Sequence, residues 1–428
     1  MGASALNAQS ITMIKYEKKV LANGLRVLVQ EDFSTPLVAV NVAYNVGSRN
    51  DNPHRTGFAH LFEHLMFGGS KHVEDFDDYL QTAGGDANAF TNNDITNYYN
   101  ILPAENIETA LWLEADRMGY LTLNKKALEV QRKVVVEEFS ETCLNQPYGD
   151  IWHHVSDLAY KEHPYRWPVI GLVPEHISEA TLEDVSSFFK THYTPANAVL
   201  VLAGNIKSVD GFALAEKWFG DLKGGDLPVV NIAPEPPQQE KRFKSVYADV
   251  PVDALYMVFH APARMDDDFY ALDLLTDVLA DGRSSRFYQH LVKDTQLFSE
   301  IDAYISGTTD GNLLIMEGKP SKGISLEQAE AAIWAEINLL LNEGVAEREL
   351  QKLKNRTECD LVFSEVNVLI KAQNLAYFEL LGDPELINTE GAAYQAVTTS
   401  DLLTVAKSVL RETNCSVLYY HAKTASAN

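Results

Sequence analysis

Residues 222–240 read LKGGDLPVVNIAPEPPQQE, a run rich in glycine and proline with neither the period of a helix nor the alternation of a strand. A segment of that kind makes a connection rather than a core element, and it falls near the middle of the chain. What lies on its two sides is alike in order. Before it, VLANGLRVLVQED carries an Asn23-Gly24 turn between apolar runs, LVAVNVAYNVGS alternates and ends in glycine, and a helical stretch follows. After it, KSVYADVPVDALYMVFHAPA reads as strands, and YALDLLTDVLADGRSSRFYQHLV as helix, break and more helix. At 428 residues the chain is too long for one ordinary core and suits two of about 200 residues each. The expectation is therefore a two-domain α/β (α+β) protein: homologous units at 1–221 and 241–428, each a mixed sheet covered by helices, joined by a linker at 222–240.

The first helical stretch, GFAHLFEHLMFGG, is the chemically distinctive one. At about 100° per residue, Phe58, Leu61, Phe62, Leu65 and Met66 share one side, and that side packs. His60, Glu63 and His64 cluster on the opposite side, the two imidazoles one turn apart. Two neutral imidazoles at i and i+4 can hold one zinc ion from a single helix, and a carboxylate on the same face can act on a water. Such a catalytic site needs a third His, Asp or Glu from another element and an open fourth position. The source is QRKVVVEEFSE, where Glu138 shares a side with Val134 and Gln131, while Glu137 falls with Lys133 and Val130. Periodicity alone does not choose between Glu138, Glu137 and the more distant Glu141. The second half has no His or Glu pattern where the first has HLFEH, so chemistry is expected in the first half only.

Between these stretches, FDDYLQTAGGDANAFTNNDITNYYNIL reads as a helical piece, a Gly84-Gly85 break and two strands around an Asn92-Asn93 turn. ENIETALWLEADRMGYL and KKALEVQRKVVVEEFSETC follow as amphipathic helices. A formal charge of -25 argues against a nucleic-acid partner, because phosphate would be repelled. No run of about 18 uncharged apolar residues exists to span a membrane. Cys143, Cys359 and Cys415 are odd in number and far apart, which disfavours a disulfide framework or a thiolate zinc site. The opening MGASALNAQS has the small residues of a cleaved export signal's tail without its charged and apolar regions, and favours the bacterial periplasm or envelope over the cytoplasm.

H-x-x-E-H inverts the H-E-x-x-H order of thermolysin-type enzymes and is the inverzincin signature. With NGLRVLV, VGSRND, NAFTNNDITNYY, VVVEEF, HPYRWPVIG, HYTPANAVLVLAGN and GRSSRFYQHL in order along nearly the whole chain, the sequence resembles the pitrilysin or insulinase family of zinc peptidases. Within that family it is similar to the short-subunit type, exemplified by the mitochondrial processing peptidase. The resemblance implies one zinc ion per chain on His60, His64 and Glu138, with Glu63 as general base. It also implies that Asn88, Ala89, Phe90 and Thr91 form an edge strand to which a peptide substrate adds by main-chain hydrogen bonds. The activity implied is endopeptidase cleavage of peptides or unfolded polypeptides inside the closed chamber of a dimer. The alternative is a non-catalytic or chaperone-like peptide-binding assembly subunit of the same fold.

Two departures stand out. Many family members carry a second glutamate seven residues before the third ligand, where this chain has Gln131, which can hydrogen-bond but supplies no charge. Members that complete their own site offer an Arg and, seven residues later, a Tyr where HLVKDTQLFSEI here places Val292 and Ser299. Neither has a guanidinium or phenol. The expectation is a dimer, either a heterodimer in which a homologous subunit supplies the Arg and Tyr or a homodimer with a weakened site.

Overall fold

The computed structural model describes residues 13–229 and 231–423, so MGASALNAQS lies outside the described residues. The first half runs β1 (Glu17–Val20), β2 (Arg26–Glu31), β3 (Leu37–Tyr44), α1 (Phe58–Leu65), α2 (Phe76–Thr82), β4 (Asp86–Thr91) and β5 (Thr96–Pro103). It continues through α3 (Ile107–Tyr120), α4 (Lys125–Phe139), α5 (Ile151–Ala159), α6 (Glu175–Ser178), α7 (Leu182–His192), β6 (Ala198–Gly204) and α8 (Ser208–Phe219). The second half runs β7 (Arg242–Ala248), β8 (Ala254–Ala261), α9 (Phe269–Ala280), β9 (Phe298–Ile305), β10 (Asn312–Pro320) and α10 (Leu326–Glu343). It closes with α11 (Glu347–Ser364), α12 (Val368–Leu381), α13 (Leu386–Ala396), α14 (Thr399–Val409) and β11 (Cys415–Ala422). Between α8 and β7 the described residues form no helix or strand.

The strands make two sheets, ordered β1-β2-β6-β3-β5-β4 and β7-β11-β8-β10-β9. Strand for strand they correspond: β2 pairs parallel with β6 as β7 does with β11, and the remaining shared neighbours are antiparallel in both. The first sheet adds only β1, folded back on β2 through Gly24, whose φ of 89° suits a residue without a Cβ. Two mixed α/β units of one plan result.

Both faces of each sheet are covered, which is why β6 reads as an unbroken apolar run and why β3 is buried from Val38 to Tyr44, Asn41 included, instead of alternating between core and solvent. In the first sheet Val27, Val29, Val38, Val40 and Val42 face a core shared with α1, α3 and α8. The opposite face, Leu28, Ala39, Ala43, Val199, Val201 and Ala203, is closed by Val368, Ala372, Leu375 and Ala376 of α12, a helix from the second half. The reverse exchange covers the second sheet: Ile151, Val155 and Leu158 of α5 lie against Tyr256, Val258, Ile315 and Leu418. Each half lends a helix across the division at 222–240.

Candidate metal centre

Helix α1 is held in place before any chemistry is considered. Its apolar side, Phe58, Leu61, Phe62 and Leu65, is buried, with Phe62 stacked on Phe188 of α7 at 5.0 Å and on Tyr193 at 5.1 Å. Tyr98 donates its hydroxyl to the Phe62 carbonyl, and the Arg117 guanidinium lies 4.4 Å above the Tyr98 ring. At the start of the helix the carboxyl of buried Asp51 accepts from the N–H of Gly57 at 2.7 Å and of Ala59 at 3.0 Å. Those are amide groups that the first turn cannot satisfy itself. Gly57 has a φ of 88°, and a Cβ there would sit 2.7 Å from the Ile170 carbonyl oxygen, so the entry to α1 is made for glycine.

The other side of α1 carries His60, Glu63 and His64, all half-buried. Helix α4 lies against it, burying Leu128, Val135 and Phe139 and turning Glu138 toward the imidazoles. Glu137 and Glu141 are exposed. His60 Nε2 and His64 Nε2 are 3.3 Å apart. Glu138 Oε2 lies 3.2 Å from His64 Nε2 and Oε1 lies 3.6 Å from His60 Nε2. Among the described residues this is the one group of three His, Cys, Asp or Glu side chains whose ligand atoms converge, all within 4.8 Å. Just past Glu138 the backbone widens into a π-helical turn at Ser140–Leu144, and Thr142 donates its hydroxyl to the Glu138 carbonyl at 2.7 Å.

Protonation states follow from the surroundings. Burial lowers the pKa of His60, which leaves a neutral imidazole with a lone pair to give. The hydrogen bond to His64 is the main reason Glu138 is held below the ordinary carboxylate range, so it is an anion. Two imidazole nitrogens and a carboxylate with converging atoms form a donor set of zinc type, so the side chains present fit a zinc ion. His60 Nδ1 is buried without a hydrogen-bond partner, which leaves Nε2 as the nitrogen that faces the cluster. Glu63 stands beside the cluster and is not one of its three members.

The remaining sequence candidates fall as follows. Gln131 is two turns back along α4, its amide nitrogen 3.8 Å from where a Cβ on Gly68 would lie, at the exit of α1. Asn88, Ala89, Phe90 and Thr91 lie in β4, at the free edge of the first sheet and against α1, paired on their inner side with Tyr99, Tyr98, Asn97 and Thr96. Val292 is partly buried against the second core, and Ser299, on edge strand β9, donates its hydroxyl to the Lys319 carbonyl. Cys143, Cys359 and Cys415 are unpaired. Asp51 was not singled out in sequence, because it acts from outside the helix, six residues before Gly57, where no N-cap pattern looks.

The family described as Insulinase (Peptidase family M16) matches residues 26–171, and the Peptidase M16 inactive domain matches residues 179–357. The zinc protease PqqE of Helicobacter pylori is 30% identical over 98% of this chain and 95% of its own length. The crystal structure of a protease from Helicobacter pylori superposes with a TM-score of 0.90 at 29% identity, covering 95% of this chain and 100% of that one. Pitrilysin superposes with a TM-score of 0.79 at 20% identity, over 98% of this chain and 47% of its own, a likeness of fold.

Proposed function

Because the chain belongs to the M16 family of zinc peptidases, we propose that it is a zinc-dependent endopeptidase acting on extended or unfolded peptides. The observation that carries this reading is the convergence of His60, His64 and Glu138 from two separate helices. These three residues would hold one zinc ion, which when bound would supply Lewis acidity for a water and a peptide carbonyl. Glu63, on the same face of α1, accepts a proton from the attacking water and returns it to the leaving amine. Edge strand β4 offers its unpaired main-chain groups to the peptide, which adds as a further strand beside α1. That mode recognises extended shape, which suits unfolded substrates.

In this proposal the active species is a dimer. The positions at Val292 and Ser299 supply no guanidinium and no phenol, so a homologous subunit contributes the Arg and Tyr that hold substrate over the metal. The test is zinc content and peptide hydrolysis of the purified chain, alone and with a homologous subunit lacking HxxEH. Stoichiometric zinc with chelator-sensitive hydrolysis supports the peptidase. Activity that needs the second subunit supports the split site, and full activity alone removes it. Peptide that binds equally well without metal and is released intact favours the non-catalytic, chaperone-like alternative.

A further inference from the structure

A cavity of about 400 Å3 opens between the two halves, and five aromatic side chains line it: Trp152, Tyr160, Tyr165, Trp167 and Tyr304. Its walls come from segments next in sequence to β4 and to α4, and from the second sheet. Asn93, in the hairpin turn that follows β4, forms one part. Trp152 and Ser156 come from α5, the helix that follows α4 and Glu138. Tyr304 and Ile305, at the end of edge strand β9, bring in the second sheet. Both sheets thus bring the end of an edge strand to this cavity.

Most of the polar groups around it are already engaged, the Ser156 and Tyr160 hydroxyls excepted. Tyr165 donates its hydroxyl to Asp94 at 2.5 Å, Trp167 its ring N–H to the Ser48 carbonyl at 2.7 Å, and Tyr304 its hydroxyl to Glu317 at 3.1 Å. Asn93 donates to the Ser48 hydroxyl, and the Ser306 hydroxyl is shared with Thr308 and Asn312. With Leu313 and Val169 completing the lining, what remains available is mainly apolar ring and alkyl surface. Tyr165 and Trp167 are 3% and 2% exposed and so fixed in position, whereas Trp152 is 43% exposed, as a wall open on one side must be. A fixed apolar hollow of this size takes a bulky side chain with little ordering cost. The more polar cavity lined by Arg49, His163 and Asp310 offers nothing comparable, since its charged groups pair across the two halves.

Resting on the reading of β4 as a peptide-binding strand, we propose that the cavity walled by Trp152, Trp167, Tyr165 and Tyr304 receives one aromatic or large aliphatic side chain of the bound peptide, beyond the Asn92-Asn93 end of β4. It selects substrates by a single bulky apolar residue at a fixed distance from the scissile bond.

The experiment uses the full chain carrying Glu63→Gln together with the homologous subunit lacking HxxEH, so that binding is read on the assembled site without turnover. Fluorescently labelled Ala/Ser peptides, each with one Phe moved stepwise along the sequence, are titrated by anisotropy. One Phe position should bind about tenfold more tightly than the parent peptide, the worth of largely burying one such ring. Adding Trp152→Ala, which removes a wall, or Val169→Trp, which fills the hollow, should erase that gain and leave the parent peptide's affinity unchanged. Circular dichroism and zinc content report that both variants remain folded. Equal binding of every Phe position, or a gain that survives in both variants, overturns the cavity proposal while leaving β4 as a peptide strand. Absence of binding by any peptide, parent included, overturns the reading of β4 itself and the cavity proposal with it.

Discussion

Glu63 and Asp51 touch the same helix and do opposite work. Glu63 lies beside the three converging side chains without being one of them, so Glu63→Gln should keep zinc at one per chain and lower turnover by about 10²–10⁴-fold. Retained turnover, read with zinc quantified in the same sample, removes Glu63 as the base. Glu138→Gln should instead lower zinc content, since it withdraws the anion of the donor set. Asp51 supports rather than reacts. Burial pushes its carboxyl up to about 8, against the opposing pull of the Ala59, Gly57 and Phe58 amides. A folded-state pKa above the unfolded one means the folded chain binds the extra proton. The contribution to stability is therefore full below the unfolded value of 3.8 and is lost as pH rises through about 8. Asp51→Ala should lower stability by about 1–2 kcal/mol at neutral pH by freeing the amides at the start of α1. It should also abolish the loss of stability that thermal melts of the unsubstituted chain are expected to show as pH rises from about 4 to about 8. A variant that melts with an unchanged pH profile shows that Asp51 is not the titrating group.

Helices α5 and α12 are the elements whose position says most about the molecule, because each covers the other half's sheet. Leu375 of α12 is fully buried against Leu28 and Ala39, and Leu375→Ala should cost about 2–5 kcal/mol in a denaturant titration. An effect below about 1 kcal/mol would mean that α12 is only lightly docked. The same helix is tied to the first half by Lys371, which pairs with Asp32. Although burial alone would raise it, that pairing together with the Ser34 hydrogen bonds brings Asp32 down to about 2. With the folded-state pKa below the unfolded one, the contribution is present above about 3.8 and is lost as pH falls through about 2. Asp32→Asn should therefore remove about 1–2 kcal/mol at neutral pH, discounted for the solvent that reaches the pair, and flatten the acid limb of the stability curve. Neither helix is among the elements expected from the sequence, and even a recognised apolar stripe states only that a helix is covered, leaving open which sheet covers it.

At the scale of the whole molecule the two halves share a plan and exchange helices, and the exchange governs what can stand alone. Residues 1–240 without α12 would expose Ala39, Ala43, Val199 and Val201, and residues 241–428 without α5 would expose Tyr256, Val258, Ile315 and Leu418. Expressed separately, neither half should melt cooperatively, and co-expression should restore one transition; a cooperative melt of either half alone sinks this expectation. The sequence by itself determined whatever depends on neighbours a few residues apart. The i, i+3, i+4 face of HLFEH is a property of a single helix, the apolar run of β6 is a property of a single strand, and the duplicated order of elements can be read along the line. Periodicity left Glu137, Glu138 and Glu141 open and the family resemblance pointed to Glu138; the tertiary structure turns Glu138 to the two imidazoles and leaves Glu137 and Glu141 exposed, because that outcome depends on how α4 crosses α1. It decided likewise that Asp51 closes the start of α1, that α5 and α12 change sides, and that five aromatic rings from α5, the segment after it and β9 enclose one cavity. Each of these is a contact between segments whose separation in sequence carries no periodic signal, and packing energy alone brings them together.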